Sequence, residues 1–231
     1  MDPFVLLTYI LIGVVFIATL GIQFYLQRTY AKYSRVANSR GYTGEQVARS
    51  ILDAYGLQNV RVEMVPGALT DHYDPMAKAV RLSEPNFHSP SAAALAVAAH
   101  EVGHAIQDAK AYAWLRARAS ILPVASIGSN LGPIIFMIGL FMGSAGGTFM
   151  TIGILLFAAA ALFQLITLPV EFDASNRALT ILKKMNFLEP SEMSGARSVL
   201  TAAALTYVAA LATTVAWLLN YAAIMMSQRE E

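Results

Sequence analysis

Four apolar runs, each long enough to cross a bilayer as a helix, constrain this chain more than any other feature. They cover residues 4–26, roughly 121–142, roughly 149–170 and roughly 199–226, where a spanning helix needs about 20 residues. The first holds no charge. The stretch Gly143-Ser144-Ala145-Gly146-Gly147-Thr148 between the second and third suits a tight helical hairpin, and the fourth is Ala-rich at its start. Composition agrees. Hydrophobic residues make up 56% of the chain and charged residues 13%, roughly half the charged share of an ordinary soluble domain. Met1-Asp2-Pro3 is acidic, and no small-x-small site follows the first run. We therefore read that run as a retained anchor rather than a cleaved signal.

The charges that remain set an orientation. Of 16 Lys and Arg residues, fifteen lie between Arg28 and Arg197, outside the apolar runs, and Arg229 alone lies beyond them. If the four helices alternate, all fifteen fall on one side, and Lys and Arg collect on the cytoplasmic side. The expectation is an outward N-terminus, with residues 27–120 and 171–198 in the cytoplasm. The 143–148 connection and the tail 227–231 should face out. The net charge of +1 gives no reason to expect a nucleic-acid partner.

Residues 27–120 read as a folded domain. Thr43-Gly44-Glu45-Gln46 opens a helix with a capping box. Val47, Ile51, Leu52 and Tyr55 follow at helical spacing, and Gly56 ends the helix. Residues 60–65 and 79–82 alternate apolar and polar, as short strands do. Between them Pro66-Gly67 and Asp71-His72-Tyr73-Asp74-Pro75 form a turn-rich loop. Ser89-Pro90-Ser91 starts the next helix, with Pro in its first turn, and that helix reaches about Lys110.

On it lies Ala98-Ala99-His100-Glu101-Val102-Gly103-His104-Ala105-Ile106-Gln107, which contains H-E-x-x-H. Residues i and i+4 project from one helix face, so His100 and His104 can hold one Zn²⁺ between them at about 2.0–2.1 Å each. The intervening Glu101 then stands beside the metal. There it can take a proton from a water whose pKa zinc lowers toward about 7. The motif predicts amide hydrolysis, with zinc as cofactor and Glu101 as base. The chain has no Cys, which excludes disulfides, thiolate nucleophiles and Cys-based zinc sites.

A catalytic zinc usually has three protein ligands. Position 110, where one large class has a third His, is Lys. His72, His88, Asp108, Glu171 and Asp173 are the candidates on the same side of the membrane. Glu171 is favoured, because a carboxylate at the foot of a membrane helix asks for a partner. Asp173 is about 200° further around a helix, so both should not bind one metal. His72 reads as a loop-capping residue or an oxyanion donor, His88 as structural, and Gln107 as a brace for a ligand or simply packed.

The Asp71-His72-Tyr73-Asp74-Pro75 loop, Val80-Arg81-Leu82-Ser83, the H-E-x-x-H segment and Leu168-Pro169-Val170-Glu171-Phe172-Asp173-Ala174-Ser175 together resemble the YugP-type neutral zinc metallopeptidases of bacteria, which are integral membrane proteins. The resemblance covers most of the chain. More distantly, the chain is similar to the Ste24/HtpX-like gluzincin peptidases. There a Glu in an E-x-x-x-D motif after the hydrophobic hairpin is the third zinc ligand. Glu171 matches that Glu, whereas Ser175 stands where the Asp would be, which leaves Asp173 as a substitute. The resemblance also implies an edge strand that receives an extended peptide by β-augmentation, for which residues 79–82 are the candidate.

The expected molecule is a mainly α integral membrane protein with about four transmembrane helices and a small α+β zincin-like cytoplasmic domain. Its parts are an N-terminal transmembrane helix (1–26), the cytoplasmic domain carrying the motif (27–120), a transmembrane hairpin (121–170), a cytoplasmic segment with the third ligand (171–198), and a C-terminal transmembrane helix with a short tail (199–231). The expected function is a zinc-dependent endopeptidase of the bacterial cytoplasmic membrane, its site facing the cytoplasm and its substrates membrane-associated proteins or peptides. Its partners are then a peptide substrate and the bilayer, with an oligomer allowed. A site-2-type intramembrane protease fits poorly: the uncharged run before His100 covers only residues 89–99, Arg116 and Arg118 follow closely, and no Asp-Gly pair occurs. The alternative outside enzymes is a membrane scaffold or transporter with a structural zinc site.

Overall fold

The computed structural model describes residues 2–230 and is mainly helical, with one small sheet. Its elements in order are α1 (Pro3–Tyr33), α2 (Gly44–Ala54), β1 (Arg61–Val65), β2 (His72–Asp74), β3 (Ala79–Ser83), α3 (Glu84–Phe87), α4 (Ala92–Ala109), α5 (Ala113–Phe141), α6 (Gly147–Lys184) and α7 (Met193–Glu230), with a 3-10 turn at Gly143–Ala145. Among the described residues four helices are long and apolar enough to cross a membrane: α1, α5, α6 and α7 over Met193–Gln228. The chain forms two compact units. One comprises residues 1–23, 116–168 and 206–231; the other comprises 24–115 and 169–205.

The first unit is built from pieces of the four long helices and the 3-10 turn that joins α5 to α6. Its outer surface is apolar: Leu7, Val14, Phe16, Ile17, Leu155 and Phe141 are all exposed, as side chains facing lipid would be. Glycine lets α5 and α6 approach closely. A Cβ at Gly132 would meet Gly153 O at 2.9 Å and Phe157 N at 2.9 Å, closer than real Cβ atoms come. Gly128 four residues earlier sits in the same tight contact with Leu156, a small-xxx-small stripe of the kind that packs membrane helices. Phe136 of α5 stacks on Tyr221 of α7, with ring centroids 4.4 Å apart. Buried Asn220 of α7 donates to Thr8 Oγ1 of α1 at 3.0 Å. Such interhelical hydrogen bonds favour one helix arrangement because lipid offers no substitute partner.

The second unit holds the sheet and α4. Thr43 and Gln46 make the expected capping box at the start of α2. Val47, Ile51 and Leu52 of α2 are buried against Val80 and Leu82 of β3, and against Leu95, Val102 and Ile106 of α4. α4 begins one residue after its cap, Ser91, whose Oγ accepts from Ala94 N. Pro90 therefore precedes the cap instead of sitting in the first turn.

Two expectations about the sheet need correction. The 71–75 segment is not only a loop, since His72–Asp74 forms β2. And residues 79–82 do not form an edge. The strand order is β1-β3-β2, with β1 parallel and β2 antiparallel to β3. Both edges of β3 are thus filled, so it has no ladder groups to offer a peptide. The free edges belong to β1 and β2. Asp71 anchors β2, accepting from Ser83 N and Oγ and from Asn86 Nδ2.

The third apolar run also continues past Val170 as helix, and α6 ends only at Lys184. Ala174, Ala178, Ile181 and Leu182 are buried in the second unit at helical spacing. Once charged residues appear, the helix thus passes from an all-apolar pattern to an amphipathic one.

Candidate metal centre

α4 and α6 build the site. His100 and His104 stand one turn apart on α4, their rings edge to face with centroids 4.8 Å apart. Across from them α6 presents Glu171, which is 2% exposed. A single oxygen, Glu171 Oε2, lies 3.3 Å from His100 Nε2 and 3.6 Å from His104 Nε2. Ligand atoms of His100, His104 and Glu171 all lie within 4.8 Å of one another, a grouping that could hold a metal ion.

The donor set fits zinc. Two ligands on a tetrahedral ion at about 2.05 Å are separated by about 3.3 Å, and the two measured separations sit at or just above that edge length. Two imidazole nitrogens and one carboxylate oxygen are also among the ligand types that zinc takes.

The other ring nitrogens are occupied. Ser175 Oγ lies 3.1 Å from His100 Nδ1, and Gln107 Oε1 lies 3.0 Å from His104 Nδ1. A metal-binding His almost always uses its second nitrogen in this way, which fixes ring orientation and tautomer. Both Nε2 atoms are left to converge on the Glu171 oxygen. Burial disfavours an imidazolium at His104, but the neighbouring carboxylates of Glu171 and Glu101 outweigh it and raise the His104 pKa above its ordinary value.

What lets the helices come this close is Gly103. A Cβ there would sit 2.9 Å from Ala174 O and 3.2 Å from Ala174 Cα. The small residue between Glu101 and His104 is thus where α4 touches α6, one turn from Glu171.

Glu101 lies on α4 beside the two histidines and is 8% exposed. The remaining sequence candidates go elsewhere. His72 is exposed, with its Nδ1 2.8 Å from Thr70 O. His88 packs against Phe87 with ring centroids 4.9 Å apart. Asp108 accepts from Lys78 Nζ and from the Tyr73 hydroxyl, at 2.6 Å each. Burial works against its charge, but these two donors hold its carboxyl below the usual carboxylate range. Asp173 accepts from Gln107 and Arg177. Sequence reasoning missed Gly103 as a contact point and Ser175 as a partner of His100. For Ser175 the available signal was its spacing four residues after Glu171, which puts both on one helix face.

Comparison with known proteins shows the family. The sequence model of a family described as "Putative neutral zinc metallopeptidase" matches residues 8–226. The chain is 46% identical over 228 residues to "Putative membrane protease YugP" of Bacillus subtilis (strain 168), covering 99% of each chain. No solved structure matches. The chain belongs to this family of neutral zinc metallopeptidases.

Proposed function

We propose that the protein is an endopeptidase of the bacterial cytoplasmic membrane in which His100, His104 and Glu171 hold one zinc and Glu101 is the general base. The observation that carries this reading is the convergence of both His Nε2 atoms on Glu171 Oε2 at tetrahedral-edge distances. Three protein ligands leave a fourth position for water or substrate, as catalytic zinc sites require, whereas structural sites are usually closed by four. The scaffold or transporter reading lacks a fourth donor in this cluster among the described residues.

Zinc, when bound, supplies Lewis acidity, lowering the pKa of a water toward about 7 and polarising a carbonyl oxygen. The chain's own residues do the rest. Ser175 and Gln107 engage the opposite ring nitrogens of His100 and His104, which leaves the two Nε2 atoms for the metal. The Glu101 carboxylate accepts the proton of the attacking water. It then delivers that proton to the leaving amine nitrogen as the C–N bond breaks.

The substrate, an extended segment of a membrane-associated protein or peptide, aligns along β2, the antiparallel edge strand, and not along β3. β2 packs beside α4 in the same unit. The cytoplasmic orientation rests on the positive-inside distribution of fifteen Lys and Arg residues. That both segments lie on one side gains support from residues 24–115 and 169–205 folding as one unit, as alternating spans require.

The test is peptide hydrolysis by purified protein in detergent or nanodiscs, wild type beside Glu101→Gln. The variant should keep its zinc and lose at least about 10²-fold in rate, the lower range for a general base. A variant that cleaves at the wild-type rate removes Glu101 from the role.

A further inference from the structure

Gln107 is completely buried one turn beyond His104, and every polar atom of its amide has a partner. Its Oε1 faces His104 Nδ1 at 3.0 Å. Its Nε2 donates to the Val170 carbonyl at 2.8 Å and to Asp173 Oδ2 at 2.8 Å. Asp173 Oδ2 also accepts from Arg177 Nε, one turn further along α6.

The donor and acceptor roles in this chain are not free to reverse. Arg177 can only donate, because a guanidinium stays protonated and has no acceptor. It holds Asp173 as a carboxylate, which can only accept. Gln107 must therefore turn its NH₂ toward Asp173, and the Val170 carbonyl, another pure acceptor, demands the same. A flipped amide would set oxygen against two oxygens in a buried site, and leaving such groups unpaired is costly. Gln107 Oε1 is then an obligatory acceptor, so Nδ1 of His104 carries a proton and Nε2 is the nitrogen left to bind the metal.

We propose that Gln107, Asp173 and Arg177 form a positioning relay that fixes the tautomer and ring orientation of His104 for metal binding. Asp173 is a positioning residue acting through Gln107, and not a ligand. This assigns a role to three residues outside the ligand set, and it rests on the zinc reading above. Among the described residues, His100 has the Ser175 hydroxyl at its Nδ1 in place of such a relay. The two histidines are thus held by different means.

The experiment measures zinc affinity by chelator competition, and the visible absorption spectrum of the cobalt-substituted protein, which reports ligand geometry. The variants are Gln107→Leu, Gln107→Glu, Asp173→Ala, and Gln107→Leu combined with Asp173→Ala. Gln107→Leu removes the acceptor for His104. Gln107→Glu keeps it but sets a carboxylate against Asp173 and the Val170 carbonyl. Asp173→Ala leaves Gln107 in place and removes one of the two acceptors that orient its amide. Both Gln107 variants should lose about 10–100-fold in zinc affinity, the usual cost of removing a ligand's hydrogen-bond partner, and shift the cobalt spectrum. Asp173→Ala should lose less, and the double variant should lose no more than Gln107→Leu alone, because Asp173 acts through Gln107. Independent disturbances of packing would instead add.

The relay is wrong if the Gln107 variants bind zinc normally with unchanged cobalt spectra, or if the losses of Gln107→Leu and Asp173→Ala add in the double variant. His100→Ala and Glu171→Ala, measured alongside, keep the two ideas apart. If they too retain metal, the zinc centre itself is misassigned. If they lose it while the Gln107 variants keep it, only the relay fails.

Discussion

Replacing Gly103 with Ala changes one methyl group at the point where α4 meets α6, and the consequence can be worked out from the contact. The new Cβ would lie 2.9 Å from Ala174 O, while an ordinary contact begins near 3.4 Å. The helices must therefore part by about 0.5 Å. Metal–ligand distances tolerate only about ±0.2 Å, and Glu171 lies one turn from the contact, so the site opens by more than zinc accepts. The zinc-free protein should lose only about 0–2 kcal/mol of stability, the difference between two opposing effects. Ala gains about 1 kcal/mol over Gly in a helix, against an overpacking cost of about 1–3 kcal/mol. The expected outcome is a loss of at least about tenfold in zinc affinity, which is about 1.4 kcal/mol, with a zinc-free melting temperature lowered by no more than about 8 °C. Chelator competition and thermal unfolding with and without zinc measure the two quantities. Gly13→Ala is the control, since a Cβ there meets nothing within 4 Å. If Gly103→Ala binds zinc as tightly as wild type, the helix contact does not set the ligand geometry.

Glu171→Ala should abolish tight zinc binding, whereas Asp108→Ala, although Asp108 was also a sequence candidate, should leave it intact; zinc titration of each compares them. The chain has no Cys, so single introduced cysteines report topology. Met76→Cys, at a position 93% exposed, should be protected from an impermeant thiol reagent in intact cells, while Gly147→Cys, where a Cβ meets nothing within 4 Å, should label. The reverse pattern would overturn the orientation. Because the folded-state pKa of Asp108 is lowered, its contribution to stability is fully present above its ordinary pKa near 4 and is lost as pH falls through the depressed value. In an acid unfolding series, Asp108→Asn should be less stable than wild type at neutral pH, with the difference closing below about pH 4.

The site was more legible in the sequence than its framing. The pairing of His100 with His104 follows from helical spacing alone, and Glu171 from a carboxylate standing where an apolar run ends. Gln107 was visible as a residue one turn past a ligand, but its partners were not, because they come from α6, 63 and 66 residues away. β2 escaped notice because three residues holding a His and an Asp between turn signals carry no strand pattern. The edge position given to residues 79–82 failed for a different reason. Alternation reveals that a segment is a strand, but strand order depends on which segments return to pair with it. The length of α6 was hidden at Val170, where Glu171, Asp173 and Arg177 interrupt the apolar run. The buried Ala174, Ala178, Ile181 and Leu182 nevertheless keep the helical period beneath those charges.

The central claim is that one zinc is held jointly by α4 and α6. An experimental structure of the zinc-loaded protein, with the ion located by its anomalous signal at the zinc edge, tests it most directly. The account predicts one peak about 2.0–2.2 Å from His100 Nε2, His104 Nε2 and a Glu171 carboxylate oxygen, with Asp173 bonded to Gln107 and away from the metal. A peak ligated by His72, His88, Asp108 or Asp173 in place of Glu171 would contradict it.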